Sequence, residues 1–446
     1  MKKLREYFCY NAIKDQINSY GYVYSMKRYI LSVMFLFMLV IMGSILFRLR
    51  IYCIIVIMIV GILCLPSVIR AQYYVRFQQR RFMDVDVYIH QMAYSFQKTP
   101  KISMALEDTY KISDGRLHEI VGRAIDELKY GVSQWVYRDA LSIIEEEYGC
   151  ERIMALHGLM VNVECSGGIY KNYVDVLLSD IDRWVRRVYQ SQEEIRKVKR
   201  DITIGIVISV LLASTSVFIG WVLKNTSAMS IDISKEMLYQ LTSAGFLILS
   251  MVFYCYTQIH YKSDWLTFTR TDKQIEYDLK IYMGRRKRGV LYKSAAKRIK
   301  EDLYGGFSQW LRNVALGLQR RTLQTAIKDS YDSCPCVMKH SLEEFIGALE
   351  ADPSDVTPYY DFLREFKVPD ISASVRTLYG LSEMDCSNID GAINTLIARN
   401  YELQDKYQSL KQTDRLSLMK FSEYIPVFMV SVKMGFDMML LLTCYL

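Results

Sequence analysis

Lys433 and Asp437 interrupt a largely apolar stretch that covers residues 421–446. Because they are four residues apart, they fall on one face of a helix and can form an ion pair, which lowers the cost of placing both charges in lipid. Three interpretations are open for this intramembrane pair. It packs the segment against other helices, it contacts a transported or assembled partner, or the segment lies at the membrane surface as an amphipathic helix.

An acidic residue followed by turn-favouring residues occurs twice. The two copies read Glu164-Cys-Ser166-Gly167 and Asp385-Cys-Ser387-Asn388. Glycine and asparagine tolerate the left-handed backbone of a helix corner. Each acid is therefore either part of a corner between two helices or a contact to a partner or neighbouring subunit.

A run of four basic residues, Arg285-Arg286-Lys287-Arg288, precedes the second polar half of the chain. Such a run is a solvated face or a contact with anionic lipid headgroups, which stabilise the bound state by about 1 kcal/mol per basic residue. The net charge of +8 is modest for a chain of 446 residues, and no basic groove with interleaved aromatic residues is visible. We therefore expect no nucleic-acid partner.

Residues for catalysis or for cofactor binding do not form recognisable patterns. The sequence has neither a G-x-x-x-x-G-K-[ST] phosphate loop nor a G-x-G-x-x-G turn after a strand. Its five histidines are far apart, and the ten cysteines form no C-x-x-C pairs that would complete a tetrahedral metal site. We predict that the protein is not an enzyme and has no catalytic, cofactor-binding or metal site.

Long apolar stretches predict a membrane protein. Residues 29–47 and 51–69 are free of charge and each is long enough to cross about one hydrocarbon core as a helix. Residues 202–223 and 237–259 form a second pair, and 421–446 a fifth span. These stretches exclude a water-soluble protein and predict about five transmembrane helices.

The basic residues predict the orientation. The arm formed by residues 1–28 carries six basic and two acidic side chains, and further basic residues follow the second span and flank the third and fourth. Because cytoplasmic loops are enriched in Lys and Arg, this arm and both long polar segments are expected in the cytoplasm. The predicted location is the cell membrane, with most of the polar mass on the cytoplasmic side.

Between the spans, apolar residues recur at the spacing of amphipathic helices and predict an all-α fold. In the first polar segment this pattern marks six short helices, for example at Val85, Ile89, Met92 and Phe96. The second segment repeats the first at a constant offset, which pairs Ala105 with Ala326, Leu128 with Leu349 and Glu164 with Asp385. We therefore predict a duplicated unit of membrane hairpin and six-helix bundle, closed by one last span.

These observations divide the chain into six segments. They are a basic cytoplasmic arm (1–28), a first transmembrane hairpin (29–69), a first cytoplasmic bundle (70–201), a second hairpin (202–259), a second cytoplasmic bundle (260–420) and a last transmembrane helix (421–446).

This organisation resembles the type II secretion system protein F family, the platform proteins of type II secretion, type IV pili and Tad pili. Three motifs of the first bundle carry the resemblance: Met104-Ala105-Leu106, Leu128-Lys-Tyr-Gly131-Val-Ser133 and Glu164-Cys-Ser166-Gly167. The second copy departs from the pattern, with Asp352-Pro353-Ser354 at the glycine turn and Asn388 at the last glycine. Two bundles with one final span are similar to the secretion and type IV pilus members, whereas the leading hairpin is similar to the Tad members.

The resemblance implies a non-enzymatic anchor in the membrane. Its cytoplasmic bundles would engage a hexameric assembly ATPase, and its membrane part would help pilin or pseudopilin subunits leave the bilayer. The resemblance also implies an oligomer, formed with further copies or with a related platform protein. The alternative is a permease or transporter subunit, which is expected to place polar or broken helices at the midplane of several spans.

Overall fold

The chain is helical throughout the part that the computed structural model describes. The described residues are 10–131, 136–166, 171–225, 233–262, 265, 272–284, 289–318, 322–331, 334–352, 355–382 and 389–445. Within these ranges there is no β-strand. The expected all-α class is confirmed at this level.

Eight helices are described in the first half of the chain. They are α1 (Tyr10–Ser19), α2 (Met26–Leu46), α3 (Ile51–Lys98), α4 (Ile102–Ile112), α5 (Gly115–Tyr130), α6 (Val136–Tyr148), α7 (Glu151–Ser166) and α8 (Lys171–Asn225). The breaks between them follow helix-end chemistry. For example, α6 stops before Gly149, whose positive φ of 57° suits a residue without a side chain.

Nine further helices are described in the second half. They are α9 (Met237–His260), α10 (Asp272–Met283), α11 (Val290–Leu318), α12 (Leu323–Asp329), α13 (Lys339–Ala351), α14 (Thr357–Asp361), α15 (Pro369–Ser382), α16 (Ile389–Phe421) and α17 (Ile425–Tyr445). Short 3₁₀ turns occur at Ile233–Lys235, Arg364–Phe366 and Ser422–Tyr424. Leu363 and Lys367 flank the second turn with positive φ values, so the chain changes direction sharply before Pro369 opens α15.

Within the described residues, five helical segments are long and apolar enough to cross a membrane: Met26–Leu46, Ile51–Lys98, Val174–Val222, Met237–His260 and Thr413–Thr443. The prediction of about five transmembrane helices and of a multi-pass membrane protein is confirmed in this sense. The predicted boundaries at 69/70 and 201/202 lie inside continuous helices, because α3 runs for 48 residues and α8 for 55. Both helices therefore extend well beyond their apolar parts.

The chain forms two compact units. The first, called the membrane unit, comprises Met1–Met83, Val188–Asp264 and Gln412–Leu446, and the second, called the polar unit, comprises Asp84–Arg187 and Trp265–Lys411. The membrane unit includes α1, whose Ile13 and Ile17 are four residues apart on one face and fully buried. They pack against Ile69 and Tyr73 of α3, so the helix of the basic arm is held by apolar contacts.

The polar unit has an apolar core supplied by both halves of the sequence. The residues that the helical spacing marks on α3, Val85, Ile89, Met92 and Phe96, are all completely buried. In the second half the buried residues include Trp310, Val314, Leu342, Phe345, Ile371 and Val375. Helical spacing in the sequence thus identified the core-facing sides of these helices correctly.

Candidate functional site

The intramembrane pair lies in the interior of the membrane unit. On α17, the Lys433 ammonium contacts the Asp437 carboxylate, and each side chain is 2% exposed. Ser216 of α8 donates a hydrogen bond to the other carboxylate oxygen of Asp437. From α9, the Tyr239 ring lies 4.2 Å from Lys433 Nζ and adds a cation–π contact.

Three helices therefore surround this ion pair with polar or aromatic groups. Tyr239 Oη and Ser243 Oγ are also buried there, and neither has a hydrogen-bond partner of standard geometry among the described residues. The charges of Lys433 and Asp437 neutralise each other. The contacts with Ser216 and Tyr239 offset part of the free-energy cost of removing the two charges from water. The arrangement can fix the rotation and depth of α17 against α8 and α9.

The turn between the first two spans is held by another polar contact in the membrane unit. Gln240 of α9 accepts a hydrogen bond from Arg50 N at 2.8 Å and donates to Arg48 O at 3.0 Å. The Arg50 guanidinium donates to the backbone oxygen of Lys235 at 2.7 Å. Arg48 and Arg50 thus help to close this turn, Arg48 through its backbone oxygen and Arg50 through its backbone and its side chain.

Glu164 lies near the end of α7 and binds the beginning of α4. Its Oε2 atom accepts a hydrogen bond from Ile102 N at 2.7 Å. The first backbone N–H groups of a helix have no partner within the helix, so a carboxylate at this position stabilises the helix start. The acid therefore joins the end of α7 to the start of α4.

The other residues singled out in the sequence cannot be placed in the same detail. Ser166 is the last residue of α7, and its side chain is outside the described set. Gly167, Asp385, Ser387, Asn388, Arg285, Arg286, Lys287 and Arg288 lie outside the described residues.

A cluster of charged side chains in the polar unit was not identified from the sequence. It comprises Arg152 of α7, Asp180, Arg183 and Arg187 of α8, and Asp405 of α16, and is called the arginine cluster below. Asp405 contacts Arg187 Nη2 and lies 3.0 Å from Arg183 Nε, and Asp180 lies 3.5 Å from Arg152 Nε.

Only part of this cluster can be recognised from the sequence. Asp180, Arg183 and Arg187 share one face of α8 by their helical spacing, which is visible in the sequence. Their partner on α16 is distant, because Arg187 and Asp405 are 218 positions apart in the chain.

A buried histidine forms a second polar site in the polar unit. His157 Nδ1 lies 2.8 Å from Glu145 Oε1, and its Nε2 lies 2.7 Å from the Tyr88 hydroxyl. Burial lowers the pKa of His157 although the Glu145 carboxylate acts in the opposite direction. Burial also raises the pKa of Tyr88. The histidine is therefore a neutral link between α3, α6 and α7.

Metal ligands do not converge in the described part of the chain. Among those residues, no group of three or more His, Cys, Asp and Glu side chains is placed to hold a metal ion.

Comparison with family models, with curated proteins and with solved structures finds no match for this chain. The function proposed below therefore depends on the fold, on named contacts and on the resemblance of the sequence motifs.

Proposed function

We propose that this protein is a non-enzymatic membrane platform of a pilus or type II secretion assembly machine. In this role its polar unit docks a cytoplasmic assembly ATPase, and its membrane unit engages pilin or pseudopilin subunits as they leave the bilayer. The observation that carries the proposal is the repeated order of helices in the two halves, since it matches the duplicated unit expected of a protein F platform.

The helix starts support this duplication. The starts of α4 and α12, Ile102 and Leu323, are separated by the offset of the sequence repeat. The starts of α5 and α13 and of α7 and α15 agree with this offset within three residues. Such agreement across three pairs of helix starts favours one ancestral unit copied once.

Contacts between equivalent residues are a second support. Val198 and Met419 belong to one buried cluster, and they are separated by the same offset. Pro426 lies against Gly205, again at this offset, so close that a Cβ on Gly205 would be 3.7 Å from the proline ring. Equivalent residues meet when two copies of a unit pack around a two-fold axis. We infer that α8 and the paired helices α16 and α17 lie near such an axis.

The continuous helices suit a platform mechanically. The apolar parts of α3 and α8 belong to the membrane unit, and the same helices continue without a break into the polar unit. Because a helix transmits rotation and displacement better than a flexible linker, a force applied by an ATPase at the polar unit can reach the spans. We place this unit on the cytoplasmic side of the cell membrane, as the distribution of basic residues predicts.

The buried ion pair is the one observation that favours a permease subunit instead. Lys433, Asp437, Ser216 and Tyr239 bring polar groups from three spans together inside the membrane unit. However, Lys433 and Asp437 bind each other, and Ser216 of α8 and Tyr239 of α9 contact them. Such contacts are expected of an ion pair that holds helices together. Solute uptake by the purified protein in liposomes would favour the permease.

The experiment that tests the platform role is capture of the assembly machine from native cells. A tagged protein that lacks residues 99–170, with a short Gly-Ser linker between Lys98 and Lys171, keeps all five candidate spans. We expect the intact protein to capture a secretion-type ATPase and pilin-like subunits, identified by mass spectrometry, and the deletion variant to lose the ATPase and fibre assembly. An intact protein that captures neither, or a deletion variant that still assembles fibres, would refute the proposal.

A further inference from the structure

The arginine cluster has hydrogen-bond donors that none of the described groups satisfies. Arg183 Nη2 and Arg152 Nε are buried and have no hydrogen-bond partner among these groups. Arg183 Nε is within ion-pair distance of Asp405 but also lacks a hydrogen bond of standard geometry. A buried donor without an acceptor is costly, and more so when it is charged. The cluster can therefore gain stability from an additional acceptor.

The charges of the cluster point to an anionic acceptor. Arg183 and Arg187 both contact the same carboxylate, Asp405, whereas Arg152 has Asp180 at 3.5 Å. The Glu151 carboxylate also acts on Arg152. Around Arg183 and Arg187, by contrast, two guanidinium groups share one contacting carboxylate, Asp405. Two guanidinium groups one helical turn apart are a common arrangement for binding an oxyanion.

Two further charged residues lie beside these arginines on α8. Asp182 follows Asp180 by two residues, but its carboxylate lies 2.9 Å from His90 Nε2. Arg186 is exposed and adds positive charge at the surface. The Arg183 side chain is 30% exposed as a whole although its Nη2 atom is buried, so a change of side-chain rotamer can bring this donor to a ligand at the surface.

We propose that the arginine cluster is a binding site for a phosphate group, with Arg183 as its main donor and Arg187 as the second positive charge. A tetrahedral phosphate presents several acceptor oxygens, so one oxygen can accept from Arg183 Nη2 while the others face solvent and Arg187. Inorganic phosphate and the terminal phosphate of a nucleotide share this chemistry. Both are sources that the site can use.

The test is equilibrium dialysis of the purified full-length protein in detergent, with labelled inorganic phosphate at constant ionic strength. The same protein is melted with increasing phosphate or ADP, since a ligand that binds only the folded state raises the melting temperature. We expect saturable phosphate binding and a concentration-dependent rise in melting temperature. The source that produces the effect at lower concentration, phosphate or ADP, is the preferred one.

Three variants separate binding from a structural role. Arg183→Gln is expected to weaken phosphate binding about tenfold or more because it removes a charged donor. Asp405→Asn is expected to tighten binding because it removes the competing carboxylate, although it lowers the stability of the free protein. Arg186→Gln, on the exposed face of the same helix, is the matched control and should bind like the unmodified protein.

The results that overturn the inference are equally specific. They are an unmodified protein that binds no phosphate, Arg183→Gln with unchanged affinity, or Asp405→Asn with unchanged or weaker affinity. If Arg183→Gln fails to fold, the affinity of Asp405→Asn still distinguishes a phosphate site from an ion-pair network.

Discussion

Ser216 of α8 donates a hydrogen bond to Asp437 of α17, and the two residues are 221 positions apart in the chain. This separation equals the offset of the repeated sequence motifs, so the two residues occupy equivalent positions in the proposed duplication. In the proposed duplication, a hydroxyl of one copy would thus stabilise a carboxylate of the other. The carboxylate in turn pairs with Lys433, so Ser216 contacts a buried ion pair of α17.

The first prediction concerns this ion pair. Asp437→Ala leaves the Lys433 ammonium buried without its counter-ion, and we expect a loss of about 3 kcal/mol or more in the free energy of unfolding. Replacing both residues with leucine removes the charge as well as the pair, and most of the stability should return. The measurement is thermal unfolding of the purified protein in detergent, with Ser431→Ala on the exposed side of α17 as control. A single variant as stable as the parent would contradict this role.

The second prediction concerns the packing of equivalent residues. Cysteines introduced at Val198 and Met419 should be joined efficiently by a short bifunctional thiol reagent in membranes, because both side chains belong to one buried cluster. Leu418 is adjacent to Met419 but is 76% exposed, so the pair Val198→Cys and Leu418→Cys is the matched control. Mobility on a denaturing gel after a protease cut between the two sites reports the link. Equal yields for both pairs would argue against the proposed axis.

The third prediction separates the two interpretations of Glu164. Since its carboxylate accepts the Ile102 backbone N–H, Glu164→Ala should lower the stability of the polar unit by about 1 kcal/mol. Glu164→Gln keeps an acceptor oxygen, so it should lower the stability of the polar unit less than Glu164→Ala does. Capture of the ATPase by Glu164→Gln should be normal if the acid serves the corner alone. Normal stability combined with failed capture would instead assign the acid to a partner contact.

Much of the fold could be predicted from local sequence patterns. The spans follow from charge-free stretches, and the helices of the polar unit follow from apolar residues at helical spacing, such as Val85, Ile89 and Phe96. These features depend on residues close together in the chain. For Glu164 the sequence predicts either a helix corner or a partner contact, and it does not predict the contact with Ile102 N.

Contacts between distant parts of the chain could not be predicted in the same way. Nothing near Arg183 or Arg187 in the sequence identifies Asp405 as their partner. The continuity of α3 beyond its apolar part was also missed, because hydropathy reports where lipid contact ends and not where a helix ends. Hydrogen bonding continues along such a helix as long as no residue breaks it.

The fourth prediction concerns His90, which lies on α3 well beyond the apolar part of that helix. Its ring lies 2.9 Å from Asp86 and 2.9 Å from Asp182, and these hydrogen bonds raise the pKa of His90 to about 9. The folded protein binds the proton more tightly than the unfolded chain, whose histidine pKa is about 6.5. The stabilisation is therefore complete below about pH 6.5 and is lost as the pH rises through about 9.

His90→Gln should accordingly be less stable than the parent protein at pH 6, by about 1 kcal/mol after allowance for solvent screening. The difference should shrink at pH 10, where the histidine has lost its proton. Unfolding curves of both proteins at the two pH values check this. His340→Gln is a suitable control because that side chain is 71% exposed. A difference between His90→Gln and the parent that is independent of pH would show that the charge of His90 is not involved.

The last prediction concerns His157. Its pKa is lowered whereas that of His90 is raised, so the stability changes with pH in the opposite direction. Because burial lowers its pKa, the unfolded chain binds a proton more readily than the folded protein below about pH 6.5, and stability falls as the pH falls. His157→Gln keeps a donor for Glu145 and an acceptor for Tyr88 but cannot gain a proton, so it should lose less stability than the parent between pH 7.5 and pH 5. The measurement is the change in melting temperature over this range for the parent, His157→Gln and His340→Gln. A His157→Gln variant with the same acid sensitivity as the parent would contradict the neutral state assigned to this histidine.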